Sequence, residues 1–367
     1  MAPAATSSTS GAQGALAVAV AARVPVLLWG APGTGKSSVV QALADSLDWP
    51  CEVVIASIRE PSDFAGLPVV DGGSVRFAPP RWAIDLAEAG HGLLFLDEIS
   101  TAPPAVQAAL LRVVLERTVG DLDLPDDVVV VAAANPPDQA ADGWDLSAPL
   151  ANRFCHLSWT VDATSVATGI AAGFAPPTPI HLPTGWDSAL NRARGDVAAF
   201  LAARPSLVSD PPTDRARAGK AWPSPRTWEM TARLVAASRA AEAGTSVLAA
   251  LVTGTVGDGP GHEFLAWLTD LDLPDPELAL ADPSSFTPPD RGDRAHAALV
   301  SVAAAVAADP TVDRWLAGWQ VLGRAAETIP DVAALAARML VRCRPADAPA
   351  PPEAALFLPV LRDAGLA

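Results

Sequence analysis

Gly30-Ala31-Pro32-Gly33-Thr34-Gly35-Lys36-Ser37 is the stretch that decides how this chain is read. The octet fits G-x-x-x-x-G-K-[ST] at every fixed position. It lies between a short apolar run, Val26–Trp29, and a segment of helical periodicity, Ser37–Leu47. Glycines let the backbone turn so that its N–H groups face inward and wrap phosphate oxygens. The helix that opens behind them adds partial positive charge. Lys36 brings a compact cation to the outer phosphates, a geometry that a planar guanidinium does not reproduce. Ser37 offers its hydroxyl to Mg²⁺. Only two of the 25 basic residues are lysine, Lys36 and Lys220, so a lysine kept at this position is informative. Gly30 through Ser37, with Ser38 behind them, are the candidate nucleotide-binding residues.

Outward from the loop, short apolar runs alternate with helical stretches. Val53-Val54-Ile55, Leu93-Leu94-Phe95-Leu96 and Val128–Ala134 are unbroken and bounded by Gly, Asp or Pro. Such runs fit strands buried on both faces, where polar alternation disappears. Arg81–Ala89 and Ala105–Glu116 between them carry apolar residues at helical spacing. The order predicts an α/β fold, a doubly wound parallel sheet over residues 15–160. Val69–Val75, with Asp-Gly-Gly at its turn, interrupts the pattern as a hairpin, and 118–124 as a shorter one.

Two strand ends carry chemistry. Leu93–Leu96 runs into Asp97-Glu98. A carboxylate there, at the carboxyl edge of a parallel sheet, holds a metal through its water shell, which makes Asp97 with Ser37 the candidate Mg²⁺ site. Glu98 is the group to orient and polarise an attacking water. Val128–Ala134 ends in Asn135-Pro136, and the Asn135 amide is placed to meet a γ-phosphate or that water. Asn before Pro is also a common turn, but its order along the chain after the loop and the Asp-Glu strand favours function.

Composition narrows the class. The 367 residues suffice for about two domains. Half of them are hydrophobic, which supports a large core. The net charge of −16 argues against a surface that coats nucleic acid or anionic lipid by charge alone. Three distant cysteines exclude a disulfide framework and suit a reducing compartment. The five histidines show no metal-ligand spacing. The apolar run 15–22 is too short to span a membrane and has no basic residue before it, so the expected location is cytoplasmic.

Residues 1–14 are small and polar and predict a disordered start. After Trp159 Pro-rich linkers separate helical stretches at 186–203, 226–242, 245–256, 261–270, 292–308, 311–327 and 331–343. Ser224-Pro225 opens one of them with an N-cap residue and proline at the first position. A second, all-helical domain over 161–344 is the expectation, followed by a Pro- and Ala-rich tail, 345–367.

The series of phosphate loop, Asp-Glu strand, Asn strand and Asn152-Arg153-Phe154 resembles the AAA+ ATPases. Within them Asp97-Glu98-Ile99-Ser100-Thr101-Ala102-Pro103-Pro104, followed by Gln107-Ala108-Ala109-Leu110-Leu111, is similar to the MoxR signature, as is Asp63-Phe64-Ala65-Gly66. The resemblance implies an ATP- and Mg²⁺-dependent ring, a hexamer of this chain, with a helical lid after the α/β core. It implies that Arg153 is an arginine finger given to the nucleotide of an adjacent subunit, against the plainer reading of an Arg paired with a surface carboxylate. It implies that Arg226 is a lid arginine reaching the γ-phosphate of its own subunit; a residue there also caps carbonyls or faces solvent. It implies that both hairpins face the ring's pore, against the plainer reading of simple surface loops. Ser100 and Thr101 depart from the family's Asn-Arg; if that Arg makes an intersubunit contact, ring assembly here draws on another group such as Arg112 or Arg117, which read equally as a solvated helix face.

The function expected from this is ATP hydrolysis that remodels or matures a client protein. The family's association with von Willebrand factor A domain proteins makes such a partner a separate polypeptide, because the chain lacks an Asp-x-Ser-x-Ser motif. Two alternatives share the fold: a nucleotide-gated binding module with slow hydrolysis, and a nucleic-acid-linked motor, which the negative charge disfavours.

Overall fold

The computed structural model describes residues 9–136, 146–270 and 273–363. They form two compact units, Met1–Thr184 with Ser209–His262, and Gly185–Val208 with Glu263–Ala367.

In the first unit, helix α1 (Thr9–Ala21) leads into strand β1 (Val26–Trp29), and α2 (Lys36–Leu47) follows the phosphate loop. Then come β2 (Cys51–Ile55), the short α3 (Ser62–Ala65), hairpin β3 (Leu67–Asp71) with β4 (Ser74–Ala78), and α4 (Arg81–Ala89). Strand β5 (His91–Asp97), α5 (Pro104–Glu116), hairpin β6 (Thr118–Val119) with β7 (Leu122–Asp123), β8 (Asp127–Ala134), α6 (Ala148–Ala151) and β9 (Cys155–Ser158) complete the α/β part. The main sheet is parallel in the order β2-β5-β8-β1-β9. Its central strands are buried on both faces: Leu94, Leu96, Val130 and Ala132 on one, Leu93, Phe95, Val129 and Val131 on the other. That double burial explains the unbroken apolar runs. Truncating Phe95 to alanine would cost about 3–5 kcal/mol.

The expected doubly wound sheet is the observed one, and both hairpins are present. Edge strand β9 was not expected; Cys155-His156-Leu157-Ser158 is too short and too polar for its pattern to declare it. The ordered chain also starts earlier than composition suggests. Helix α1 begins at Thr9, inside the span read as a disordered start, and buries Ala15, Leu16, Val18 and Ala19 fully. Small residues that look featureless in sequence pack closely here. Residues 1–8 of that expected start, and 364–367 of the expected tail, lie outside the described residues.

Helices α7 (Ala163–Ala172), α8 (Asp187–Ala203), α9 (Arg215–Ala218), α10 (Pro225–Ala240), α11 (Thr245–Val256) and α12 (Asp258–Asp270) follow. The unit boundaries do not coincide with the expected break at 160. Helices α10 and α11 belong with the sheet, where α11 packs on α1 and β9. Gly254 allows this: a Cβ there would come within 2.2 Å of the His156 carbonyl oxygen.

The second unit holds α8 together with α13 (Pro276–Ala281), α14 (Gly292–Ala308), α15 (Val312–Ala326), α16 (Pro330–Arg342) and α17 (Leu358–Asp363). Trp315, Trp319, Val306, Leu340 and Phe357 form its core, and the Trp315 indole donates to the Leu340 carbonyl at 2.7 Å. Arg314 grips Glu277 through both guanidinium nitrogens, at 2.7 and 2.9 Å. The sequence between 345 and 363, expected to be a tail, folds onto this unit, with Phe357 and Leu361 buried in its core. Among the described residues no helix is long and apolar enough to cross a membrane.

Candidate functional site

The loop of residues 30–35 leaves β1 at the carboxyl edge of the sheet and turns into α2. Gly33 and Gly35 have φ of +75° and +84°, a region in which side chains with a Cβ are strained, and Gly35 is the N-cap of α2. Gly30 is constrained differently. Any Cβ there would meet the Trp159 carbonyl oxygen at 2.5 Å. The Trp159 indole in turn donates to the Thr34 carbonyl at 3.0 Å and fixes the loop from its flank.

Lys36 is almost buried and donates to the carbonyls of Gly30 (2.7 Å) and Ala31 (3.0 Å) and to Asn135 Oδ1 (3.1 Å). Burial lowers its pKa, while the Asp97 charge opposes that shift. Asn135 thus lies beside the lysine, as its place after β8 predicts. Ser37 Oγ donates to Asp97 Oδ2 at 2.9 Å, so the hydroxyl and carboxylate expected on Mg²⁺ adjoin each other. Two adjacent hard oxygens beside a buried ammonium suit a hydrated Mg²⁺ bound with a polyphosphate. Glu98 follows with φ of +56°, a turn that swings its carboxylate away from the strand line. It accepts a hydrogen bond from Ser57 Oγ at 2.5 Å. Ser57 was not singled out by its sequence, since a serine just after a strand carries no pattern of its own.

Arg153 is placed elsewhere. It precedes β9, whose first residue Cys155 pairs with Val26 at the start of β1, while the phosphate loop leaves β1 at its other end. Four residues at about 3.3 Å each separate the two edges by about 13 Å. The guanidinium donates to the Pro149 carbonyl, and its Nε is buried without a partner. Burial lowers its pKa, and the Arg226 charge lowers it further.

Arg226 stands with Arg153. The cap residue Ser224 donates to Asn152 Oδ1 at 2.7 Å, and Asn152 Nδ2 donates to the Trp222 carbonyl at 2.9 Å. These bonds hold the start of α10 against the residue next to Arg153. The expected N-cap is present as a capping box, Ser224 with Thr227. Helix α10 starts beside Asn152, near the first residue of β9, whereas the phosphate loop leaves β1 at its other end. Arg117 is likewise committed internally. It donates to the carbonyls of Pro125 and Val128, whereas Arg112 pairs with Glu116 at 3.0 Å along its own helix.

Residues 25–154 match the AAA domain of the dynein-related subfamily. That stretch therefore carries an AAA domain, a class that generally binds ATP and Mg²⁺. It is 34% identical over 122 residues to the DNA-binding transcriptional activator HyfR of Escherichia coli (strain K12), a match covering 30% of this chain and 18% of that protein. It is 31% identical over 122 residues to the Nif-specific regulatory protein of Enterobacter agglomerans, covering 30% of this chain and 23% of that protein. The chain thus spans less than a quarter of either relative. A crystal structure of a protein assigned as an ATPase, from Cytophaga hutchinsonii ATCC 33406, aligns with a TM-score of 0.39 at 19% identity, covering 61% of this chain and 75% of that one.

Proposed function

We propose that the protein hydrolyses ATP at interfaces between copies of itself in a MoxR-like ring, and that the nucleotide cycle remodels a client protein. One observation carries this reading. Lys36, Ser37, Asp97, Glu98 and Asn135, the groups suited to hold the triphosphate and activate water, lie at the carboxyl edge of the sheet, while Arg153 and the start of α10 that carries Arg226 lie at the amino edge. Two neighbouring guanidiniums whose charges oppose each other favour an anion between them, and no carboxylate of their own subunit is bonded to Arg153 among the described residues. A second copy supplies it.

In this reading the loop amides and Lys36 bind the phosphates, and Ser37 with Asp97 holds the water shell of Mg²⁺. The metal, when bound, neutralises charge on the β- and γ-phosphates. Glu98 orients the attacking water and accepts its proton, and Asn135 steadies the terminal phosphate. Arg153 and Arg226 of the neighbour neutralise the transferring phosphoryl group. The client is a separate polypeptide, and the resemblance to the MoxR branch directs the search to a von Willebrand factor A domain protein.

Steady-state hydrolysis of Mg-ATP tests the reading. Wild type should turn over, while Glu98→Gln and Arg153→Ala should each bind nucleotide and lose at least about 100-fold in kcat. Mixing these two variants should restore part of the activity, because an intact pocket then meets an intact arginine. No turnover by wild type above Glu98→Gln, alone or with a client, defeats the proposal and favours a nucleotide-gated binding module.

A further inference from the structure

The edge strand β9 carries an imidazole whose two ring nitrogens are both hydrogen-bonded. His156 Nδ1 accepts from the Trp29 indole at 2.9 Å, and Nε2 donates to the Ala151 carbonyl at 2.8 Å. An indole N–H only donates and a carbonyl only accepts, so these bonds specify one neutral tautomer, with the proton on Nε2. Burial pushes the imidazole down to about 4, which keeps it neutral. The Trp29 and His156 rings lie near parallel, with 22° between their planes.

Both partners adjoin the site. Trp29 is the last residue of β1 and abuts Gly30. Ala151 closes α6, two residues before Arg153. The Asn152 side chain that follows is already taken by Ser224 and Trp222. From outside, Gly254 of α11 lies against the His156 carbonyl and backs the strand. A leucine would fill this space, and the histidine adds only its two directed hydrogen bonds.

We infer that His156 is a positioning residue for Arg153, clamping the Ala151 carbonyl so that the end of α6 presents the arginine in one orientation, with Trp29 fixing the tautomer. The inference rests on the proposed action of Arg153 on a neighbour's nucleotide.

The test uses full-length variants with Mg-ATP. His156→Leu should lower kcat about tenfold or more while KM stays within about twofold, the signature of an interaction made in the transition state. His156→Gln, whose amide N–H can occupy the place of Nε2–H, should recover kcat to within about threefold of wild type. Mixing separates positioning from general damage. His156→Leu mixed with Glu98→Gln should regain activity, because sound arginines then face sound pockets, whereas His156→Leu mixed with Arg153→Ala should show no such gain. Unchanged kcat in His156→Leu, or no recovery with Glu98→Gln, overturns the inference. Arg153→Ala mixed with Glu98→Gln is the control: if it too stays inactive, the action of Arg153 across the interface fails and the inference falls with it. Should His156→Leu not fold, Trp29→Phe removes the indole donor alone and should show a smaller loss of kcat with the same pattern of recovery; its absence overturns the inference equally.

Discussion

The Ser57 hydroxyl sits 2.5 Å from the Glu98 carboxylate and donates to it, tying the residue after β5 to the second residue beyond β2. A carboxylate that orients water depends on where its free lone pairs point, and this bond directs them. Ser57→Ala should lower kcat for ATP about tenfold, a part of the usual contribution of a general base, with nucleotide affinity unchanged. Ser57→Thr keeps the hydroxyl and should retain most of the activity. Equal kcat in Ser57→Ala and wild type would remove Ser57 from the site.

Lys36 binds three acceptors that also shape the loop, so its loss reaches beyond one charge. Lys36→Ala should weaken ATP binding on the order of 100-fold, the worth of a charge-assisted hydrogen-bonded contact. Lys36→Arg should not rescue it, because a planar fork does not fit where a compact ammonium meets two loop carbonyls. Titration with a fluorescent ATP analogue measures both.

Arg226 allows a sharp discrimination by mixing. If it serves a neighbour, Arg226→Ala should behave as Arg153→Ala does: nucleotide still binds, hydrolysis falls, and Glu98→Gln subunits restore part of it. If it serves its own pocket, both partners in that mixture are defective in the same site, and activity stays absent.

The buried imidazole also leaves a trace in stability. Burial holds the His156 imidazole down at about 4 in the folded protein, against about 6.5 for an unperturbed histidine. Between those values the unfolded chain holds more protons, so stability falls as pH drops through the window and the contribution is fully lost below about 4. The loss amounts to about 3 kcal/mol. Denaturant unfolding between pH 7 and pH 4 should show this slope in wild type, with a slope shallower by that amount in His156→Gln.

The carboxyl edge was legible because its chemistry is local. A loop of fixed spacing, an Asp-Glu pair ending an apolar run and an Asn closing the next one are written in consecutive letters. The amino edge was less so. Arg153 was found through its neighbours in an Asn-Arg-Phe triplet, but the partner of Arg226 depends on Ser224 meeting Asn152, 72 positions away. No periodicity records that contact. Ser57 and His156 escaped for the same reason: each matters through one hydrogen bond to a residue distant in the chain. Helices α10 and α11 had correct boundaries in sequence yet an unexpected place, because a glycine at 254 says that something approaches closely without naming what.

Gly66 and Gly120 bring the two hairpins within touching distance: a Cβ on Gly66 would lie 2.7 Å from the Gly120 Cα. The backbone of Phe77 bonds on one side to the Asp121 carboxylate (2.7 Å) and on the other to the Asp121 N–H (3.0 Å). Four apolar side chains, Leu67, Val70, Val75 and Phe77, project from the larger hairpin into solvent. Stitched at its base to the smaller one, the larger hairpin is less a loose flap than a paddle on a short stiff handle. A shift of α5, which only Arg117 separates from the smaller hairpin, would be passed to that greasy blade as a rigid swing.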